Sequence, residues 1–465
     1  MKKTLLASYI DGLRDETHGA SYESIMRCFF PEMITALVLY SLVVLIDARF
    51  IAHLKSTELY ATVGVTNTLM HFLTKIAEGL SVGTMVLCGY YHGKKDDASV
   101  FSVAISSLMV TSCLAFFLWA GLYFYAGTVY RFLGTPDQIV AFGIPFLRTR
   151  SLSVALMFIF FSISGFLRGI KQNYIPTRCL VLGSCVFVIC DYVLIFGKCG
   201  FPALCLQGSA VASVIQYSVM VIAALVAMIR DSVICSQLKT WYRSFSWTLA
   251  RRICVLSWPV MCDKSVLAIA KMLLVRGIAP MGSLALSSFG IIKDLEMFAF
   301  VPAVAFAQVT TILVSNQWGA GDIEGVKYTV KRTLMLALGM VSIILAFCSW
   351  HAWSIIGCFD PQHVFTDFAA RAFRAMSFLA ILDVLQVILS SALRGVAQMK
   401  VVLWVRVATL CLVAFLAVYG APYIAFQSNF DTFIAVYSLF YIGNGLMAFC
   451  YIYWFRSDRW RHVAW

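Results

Sequence analysis

Charge is what this sequence has least of. Only 13% of its 465 residues are Asp, Glu, Lys or Arg, about half the ~25% of a soluble globular chain. A water-soluble enzyme or binding module of this length is therefore excluded. Chemical signatures are missing as well. No Gly-x-x-x-x-Gly-Lys-Ser/Thr phosphate cradle occurs, so nucleotide hydrolysis is not the expected energy source. The 15 cysteines contain no Cys-x-x-Cys spacing and the seven histidines no His-x-x-x-His. Buried free thiols are expected rather than disulfides or a metal site. No Gly-x-Ser-x-Gly elbow is found, and without a catalytic constellation an enzyme is disfavoured and no cofactor is expected. The opening Met1-Lys2-Lys3 lacks the short apolar core and cleavage site of a secretory signal, so it is expected to stay in the mature chain.

What is abundant is apolar sequence. Hydrophobic residues make up 61% of the chain and the mean hydropathy is +0.85. Apolar runs of roughly 18 residues or more recur along its length, each enough to cross ~30 Å of hydrocarbon as a helix. The runs are continuous rather than alternating, which excludes a β-barrel. The expected fold is an all-α polytopic membrane protein with twelve transmembrane helices in two homologous six-helix bundles. The first six spans are expected near 29–53, 60–90, 98–127, 139–167, 176–197 and 205–229. The second six are expected near 253–280, 284–317, 326–357, 366–393, 400–425 and 431–455. That gives an N-terminal tail (1–28), an N-lobe (29–229), an inter-lobe linker (230–252), a C-lobe (253–455) and a C-terminal tail (456–465).

The duplication is visible as a fixed shift. Gly93 and Asp96 reappear as Gly319 and Asp322, and Leu167-Arg168-Gly169 with Gln172 reappears as Leu393-Arg394-Gly395 with Gln398. Each pair is separated by 226 positions, as in 93 and 319. Duplicated bundles are the usual build of secondary transporters. Six crossings per half, an even number, make the halves parallel about an axis normal to the membrane. Among loop residues, Lys and Arg concentrate in the termini and even-numbered loops. This predicts cytoplasmic tails and a cytoplasmic linker. The same distribution explains the +13 net charge without nucleic acid as a partner.

Ionisable groups inside spans are costly and become site candidates by default. Asp47 sits sixteen residues after Pro31, Asp191 lies in Val-Ile-Cys-Asp-Tyr-Val, and Asp383 in Ile-Leu-Asp-Val-Leu-Gln. Proton or sodium coupling uses such carboxylates, because burial penalises the ionised form and nearby oxygens can complete a sodium shell. The alternatives are an Asp47–Arg49 ion pair and a hydrogen-bonded packing role for Asp191. A second group mixes signs. His71, Lys75 and Glu78 share one face of the second span. Asp263, Lys264 and Lys271 fall in the seventh, Lys293, Asp294 and Glu296 in the eighth, Arg148 and Arg150 in the fourth. Structural ion pairs are the favoured reading of this group, a partly basic cavity for an anionic or zwitterionic substrate the other.

These residues resemble the multidrug and toxic compound extrusion (MATE) transporters, within the superfamily of multidrug, oligosaccharidyl-lipid and polysaccharide flippases. The resemblance runs over nearly the whole chain. It is carried by Phe30-Pro31 and Trp258-Pro259, Val44-Leu45-Ile46-Asp47, Asn316-Gln317-Trp318-Gly319-Ala320-Gly321-Asp322 and the two Leu-Arg-Gly segments. Asp191-Tyr192-Val193-Leu194-Ile195-Phe196-Gly197-Lys198, Phe201-Pro202-Ala203-Leu204 and Gly208-Ser209-Ala210-Val211-Ala212-Ser213 extend it. It implies a V of two lobes that exchanges drug-like molecules for protons or sodium. Carried over by position, Asp47 and Asp191 match the cation and proton site of the first lobe, with Ser209 beside it. Asp383, with Gln386, matches the aspartate of the sodium-linked branch. Phe187 stands where that family often has Asn, and a phenyl ring cannot ligate sodium. The seventh span shows Asp263-Lys264 in place of a glutamate used by some branches, and Arg148, Arg150 and Lys75 disfavour a standard cationic-drug cavity.

The expected function is an ion-coupled antiporter, H+ favoured over Na+, that exports small organic compounds. Cation or proton coupling falls to Asp47, Asp191, Ser209 and Asp383, and the substrate cavity to Gln386, Arg148, Lys75 and Glu78. A flippase or transporter for a lipid-linked or anionic metabolite is the alternative. The expected setting is the inner (plasma) membrane, as a monomer in the lipid bilayer, with a small molecule as substrate.

Overall fold

The computed structural model describes residues 19–38, 46, 47, 49, 50, 57–198, 200–230, 245–360, 362–415 and 429–462, and contains no strand among them. In chain order the helices are α1 (Tyr22–Leu37), α2 (Thr57–Gly93), α3 (Asp97–Phe124), α4 (Ala126–Phe132), α5 (Asp137–Gly169), α6 (Tyr174–Phe196), α7 (Leu206–Arg230) and α8 (Trp247–Ile278). There follow α9 (Ser283–Ala299), α10 (Val301–Gly319), α11 (Ile323–Trp350), α12 (Ala352–Gly357), α13 (Thr366–Gly395), α14 (Met399–Phe415) and α15 (Asn429–Arg456). Among the described residues nine helices are long and apolar enough to cross a membrane, and the bent pair α9–α10 makes a tenth. The other two spans, near 29–53 and 400–425, fall partly outside the described residues, which hold α1 and residues 46, 47, 49 and 50 of the first and α14 of the second.

One span differs from its sequence reading. The continuous helix expected over 284–317 is bent by 46° between α9 and α10. Pro302 lies in the first turn of α10. It offers no N–H, its ring clashes with the carbonyl four residues back, and it disfavours helical geometry at Val301 before it. The Phe300 amide closes α9 by donating to the Glu296 carbonyl at 2.8 Å.

The contacts divide the chain into two compact units, Ile34–Met261 and Met1–Met33 with Cys262–Trp465. We call them the amino unit and the carboxy unit. Both divisions fall inside helices, α1 and α8, a few residues past the sequence limits at 29 and 253. The start of α1 belongs to the carboxy unit, where Ile25 and Phe29 are fully buried and Phe29 stacks on Phe306 with ring centroids 4.1 Å apart. Ala20 pins the chain before it, donating to Thr329 Oγ1 at 2.9 Å and accepting from Arg332 Nη1 at 2.7 Å. The start of α8 belongs to the amino unit, where Arg252 Nη1 donates to the Tyr91 hydroxyl at 3.2 Å. Residues 231–244 of the expected linker lie outside the described residues.

The 226-residue shift reappears as geometry. The bounds of α3 and α11 differ by that shift at both ends, and the last residues of α5 and α13 differ by it as well. Asp96 caps α3 by accepting from the Ser99 amide at 3.1 Å, and Asp322 caps α11 by accepting from the Gly325 amide at 2.7 Å. The residue before each cap is left-handed, Lys95 at φ 60° and Gly321 at φ 77°. Lys171 (φ 62°) and Ala397 (φ 60°) match after the Leu-Arg-Gly segments. The glycines there mark close helix crossings. A Cβ on Gly169 of α5 would meet the Met85 carbonyl oxygen of α2 at 2.8 Å. One on Gly395 of α13 would meet Val314 of α10 at 2.7 Å. Lipid tails are as apolar as Leu, so helices in a bilayer associate through such close packing more than through the hydrophobic effect.

Candidate functional site

The amino unit encloses a cavity of about 150 Å³. Its walls follow helical periodicity. Asn67, His71, Lys75 and Glu78 line it from α2, and Arg150, Ser153, Val154 and Met157 from α5. Ser213, Gln216 and Tyr217 line it from α7, with Phe187 from α6. Spacings of three and four residues put each set on one helix face.

Asp47 also lines this cavity and is buried. Its Oδ1 accepts a hydrogen bond from Ser209 Oγ at 2.9 Å, while Arg49, two residues on, is exposed. Asp191 has no exposed surface, and neither of its carboxylate oxygens has a hydrogen-bond partner among the described residues. It stands one helical turn after Phe187 on the same face of α6, and of the two only Phe187 lines the cavity. Lys75 and Glu78 form an ion pair at 3.1 Å on the α2 wall. The structure thus brings Asp47, Ser209, Asp191, Lys75 and Glu78 into one region.

Arg148 is elsewhere. Its Nε donates to the Tyr123 carbonyl at the end of α3 at 3.2 Å, and its guanidinium lies over the Tyr123 ring. Arg374, at the equivalent place in the carboxy unit, donates in the same way to the Ser349 carbonyl at 3.2 Å. Residues two apart on a helix point about 200° apart, so of the two arginines only Arg150 lines the cavity.

Asp383 and Gln386 are in the carboxy unit. Asp383 Oδ1 accepts from Asn444 Nδ2 at 3.1 Å. Gln386 is buried, and its Nε2 has no hydrogen-bond partner among the described residues. Two features there were not resolved by the sequence reading. Glu296, grouped by position with Lys293 and Asp294, is buried and accepts a hydrogen bond from the Tyr437 hydroxyl. Lys293 and Asp294 make a separate exposed pair at 3.7 Å. Asp263 pairs with Arg394 Nη2 at 2.7 Å and with Arg406, forming a triad across α8, α13 and α14 in which Asp263 and Arg406 are buried. The isolated Arg406 in Val-Val-Leu-Trp-Val-Arg-Val was the available signal, because a charge inside an apolar run needs a buried partner.

No group of three or more metal-ligating side chains occurs among the described residues. What the amino unit holds is a water-sized to small-molecule cavity, charged side chains of both signs, and two buried carboxylates beside it.

Duplicated helical units with paired charges inside their spans make up a polytopic membrane transporter. The MatE family model matches residues 33–193 and 259–419, one copy in each half, and the chain belongs to that family. It is 22% identical over 330 residues to the probable multidrug resistance protein YoeA of Bacillus subtilis (strain 168), covering 70% of this chain and 71% of that one. It is 23% identical over 365 residues to the probable multidrug resistance protein NorM of Rhizobium meliloti (strain 1021), covering 75% and 76%. Among solved structures, the Vibrio cholerae MATE transporter VcmN superimposes with a TM-score of 0.83 at 15% identity, covering 98% of this chain and 99% of that one. A MATE crystal structure in the bent conformation gives 0.82 at 19% identity, covering 97% of each. At these identities the structural likeness shows the fold.

Proposed function

We propose that the chain is a proton-coupled antiporter that exports small organic compounds across the plasma membrane, with Asp47 and Asp191 as the coupling carboxylates. The observation that carries this reading is the pair itself: Asp47 hydrogen-bonded to Ser209 at the cavity wall, and Asp191 enclosed behind it without a hydrogen-bond partner among the described residues. An ionised carboxylate without a partner is costly in a dry site, and a proton removes that cost. Phe187, which replaces a possible oxygen ligand at the cavity wall, supports protons over sodium. Proton uptake by the pair weakens the hold on a cationic substrate group, and proton release restores it. This reciprocity is what exchange requires. Asp383 with Asn444 in the carboxy unit is the site that sodium coupling would use. The working unit is a monomer with both termini cytoplasmic, and no cofactor is needed beyond the coupling ion.

The test is dye efflux from proteoliposomes under a proton gradient and a sodium gradient imposed separately. Proton-driven efflux that disappears in Asp47→Asn and Asp191→Asn, with both proteins folded, is the expected result. Normal coupled efflux in both variants would sink the assignment. Sodium-driven efflux would move it to Asp383.

A second reading rests on one observation, the arginine in the cavity wall. If no dye moves under either gradient, a lipid-linked or anionic metabolite is the cargo to try.

A further inference from the structure

Arg150 lines the cavity, and the exchange reading gives it no role. Its guanidinium lies over the Phe146 ring, 5.4 Å from the centroid. Its Nη1 is buried and has no hydrogen-bond acceptor among the described residues. Asp47 and Glu78 line the same cavity, yet no carboxylate among the described residues comes within ion-pair distance of Arg150. A guanidinium presents five donors in a planar fork that matches a carboxylate or similar oxyanion. Buried donors in folded proteins are nearly always satisfied. An arginine held against a ring, with a buried donor unpaired at the wall of a cavity, is built to receive an acceptor from the cavity's occupant.

The same cavity also presents Asp47 and Glu78, so it offers one place for an anionic group and another for a cationic one. A volume of about 150 Å³ is comparable to a cavity that holds benzene and is below the ~300 Å³ of drug-sized sites. We infer that Arg150 is the anion subsite of this cavity and that its substrates are small zwitterions, with an oxyanion group on Arg150 and an ammonium group toward Asp47 or Glu78. The inference rests on the exchange reading, in which the ammonium end competes with the proton and the oxyanion end anchors the molecule.

Phenethylamine, phenylalanine and 3-phenylpropionate share a ring and a two-carbon chain and differ in charge. Their binding to the full chain in nanodiscs is measured by calorimetry in gluconate and again in chloride. The wild type is expected to bind phenylalanine at least about tenfold more tightly than phenethylamine, a difference of ~1.4 kcal/mol. Arg150→Gln is expected to erase that preference while phenethylamine binding holds or tightens, which also reports that the variant is folded. Arg150→Lys is expected to keep part of the preference, and Arg148→Gln, on the opposite side of α5, all of it.

Equal preference in wild type and Arg150→Gln overturns the subsite. So does a failure of the wild type to bind any of the three. Chloride that competes in the wild type but not in Arg150→Gln, with phenylalanine no tighter than phenethylamine, would assign the position to a free anion and overturn the substrate class. Proton-driven dye efflux in the same preparations reads the exchange reading separately. Efflux that persists without the phenylalanine preference leaves exchange standing and ends only the subsite.

Discussion

The amino and carboxy units share a frame and differ in their interior charges. At a shift of 226 positions the helix caps, left-handed turns, close glycine crossings and arginine-to-carbonyl clasps coincide. Of the charged residues inside, Arg168 and Arg394 coincide and the acids do not. Asp47 and Arg150 of the amino unit correspond to Leu273 and Met376, while Glu296 and Asp383 of the carboxy unit correspond to Met70 and Met157. Two of those methionines, Met70 and Met157, line the amino cavity. At the places where the carboxy unit holds Glu296 and Asp383, the amino unit has a flexible apolar side chain. The lesson is physical. Caps and close crossings stabilise a six-helix bundle whatever it transports, so both copies retain them. An intramembrane charge costs several kcal/mol, so it stays only where it is used or neutralised.

The sharpest way to break the comparison is at the triad. Asp263, Arg394 and Arg406 correspond to Leu37, Arg168 and Leu180 in the amino unit. Removing the shared acid leaves two guanidinium groups without their buried partner, and such a loss costs about 3–5 kcal/mol. Asp263→Leu is therefore expected to lower the thermal midpoint in nanodiscs more than any other substitution considered for this frame. The double variant Asp263→Leu with Arg406→Leu recreates the amino-unit residues and is expected to recover a large part of that loss. A double variant no more stable than the single one would show that the triad is not what fixes α8 to α13 and α14.

A smaller contrast separates the two crossing glycines. At Gly169 an added methyl would meet the Cys88 Cβ at 2.7 Å and two main-chain atoms close behind it, the Met85 carbonyl oxygen at 2.8 Å and the Gly89 nitrogen at 3.1 Å. At Gly395 its nearest neighbour is the Val314 side chain at 2.7 Å, with the Thr311 carbonyl oxygen at 3.2 Å. Side chains yield more readily than backbone. Overpacking costs about 1–3 kcal/mol, so Gly169→Ala is expected near the upper end and Gly395→Ala near the lower, read as apparent unfolding midpoints. Equal shifts would mean that the Val314 side chain is as rigidly held as the α2 backbone.

The frame was legible in the sequence because its determinants are local. Gly93-to-Asp96 and Gly319-to-Asp322 carry the turn and cap residues within four positions, and the spans announce themselves by length. Pro302 carried a local signal too, yet the apolar run across 284–317 outweighed it. The site was legible in part. Asp47 and Ser209 were both named, but the hydrogen bond between them joins residues 162 apart. Arg148 and Arg150 look equivalent in one dimension, and only the rotation of α5 about its axis separates a carbonyl clasp from a cavity wall. Asp263 finds Arg406 across 143 positions, a distance at which neighbouring Lys264 gave no guide.

The mildest contrast lies in the two caps, and pH resolves it. The Ser99 hydroxyl and backbone N–H hold the Asp96 carboxyl below its usual range. A carboxylate held low in the folded state contributes stability that is complete above its unfolded value, about 3.9, and is lost as pH falls through the lower folded value. The cap as a whole is worth about 1 kcal/mol. Asp96→Ala is thus expected to speed hydrogen exchange in the first turn of α3 by roughly fivefold at neutral pH. The difference between wild type and variant should narrow in acid as Asp96 is protonated and only an uncharged acceptor remains. Asp96→Asn retains an acceptor without a charge, so its protection should not change across the same range. The parallel substitution Asp322→Ala removes an acceptor whose partner is the Gly325 amide alone among the described contacts. Its effect should be confined to α11 and leave α3 untouched, because each cap serves its own copy of the fold. If Asp96→Ala stays as protected as the wild type at neutral pH, the repeated cap is a relic of duplication and contributes nothing to holding α3.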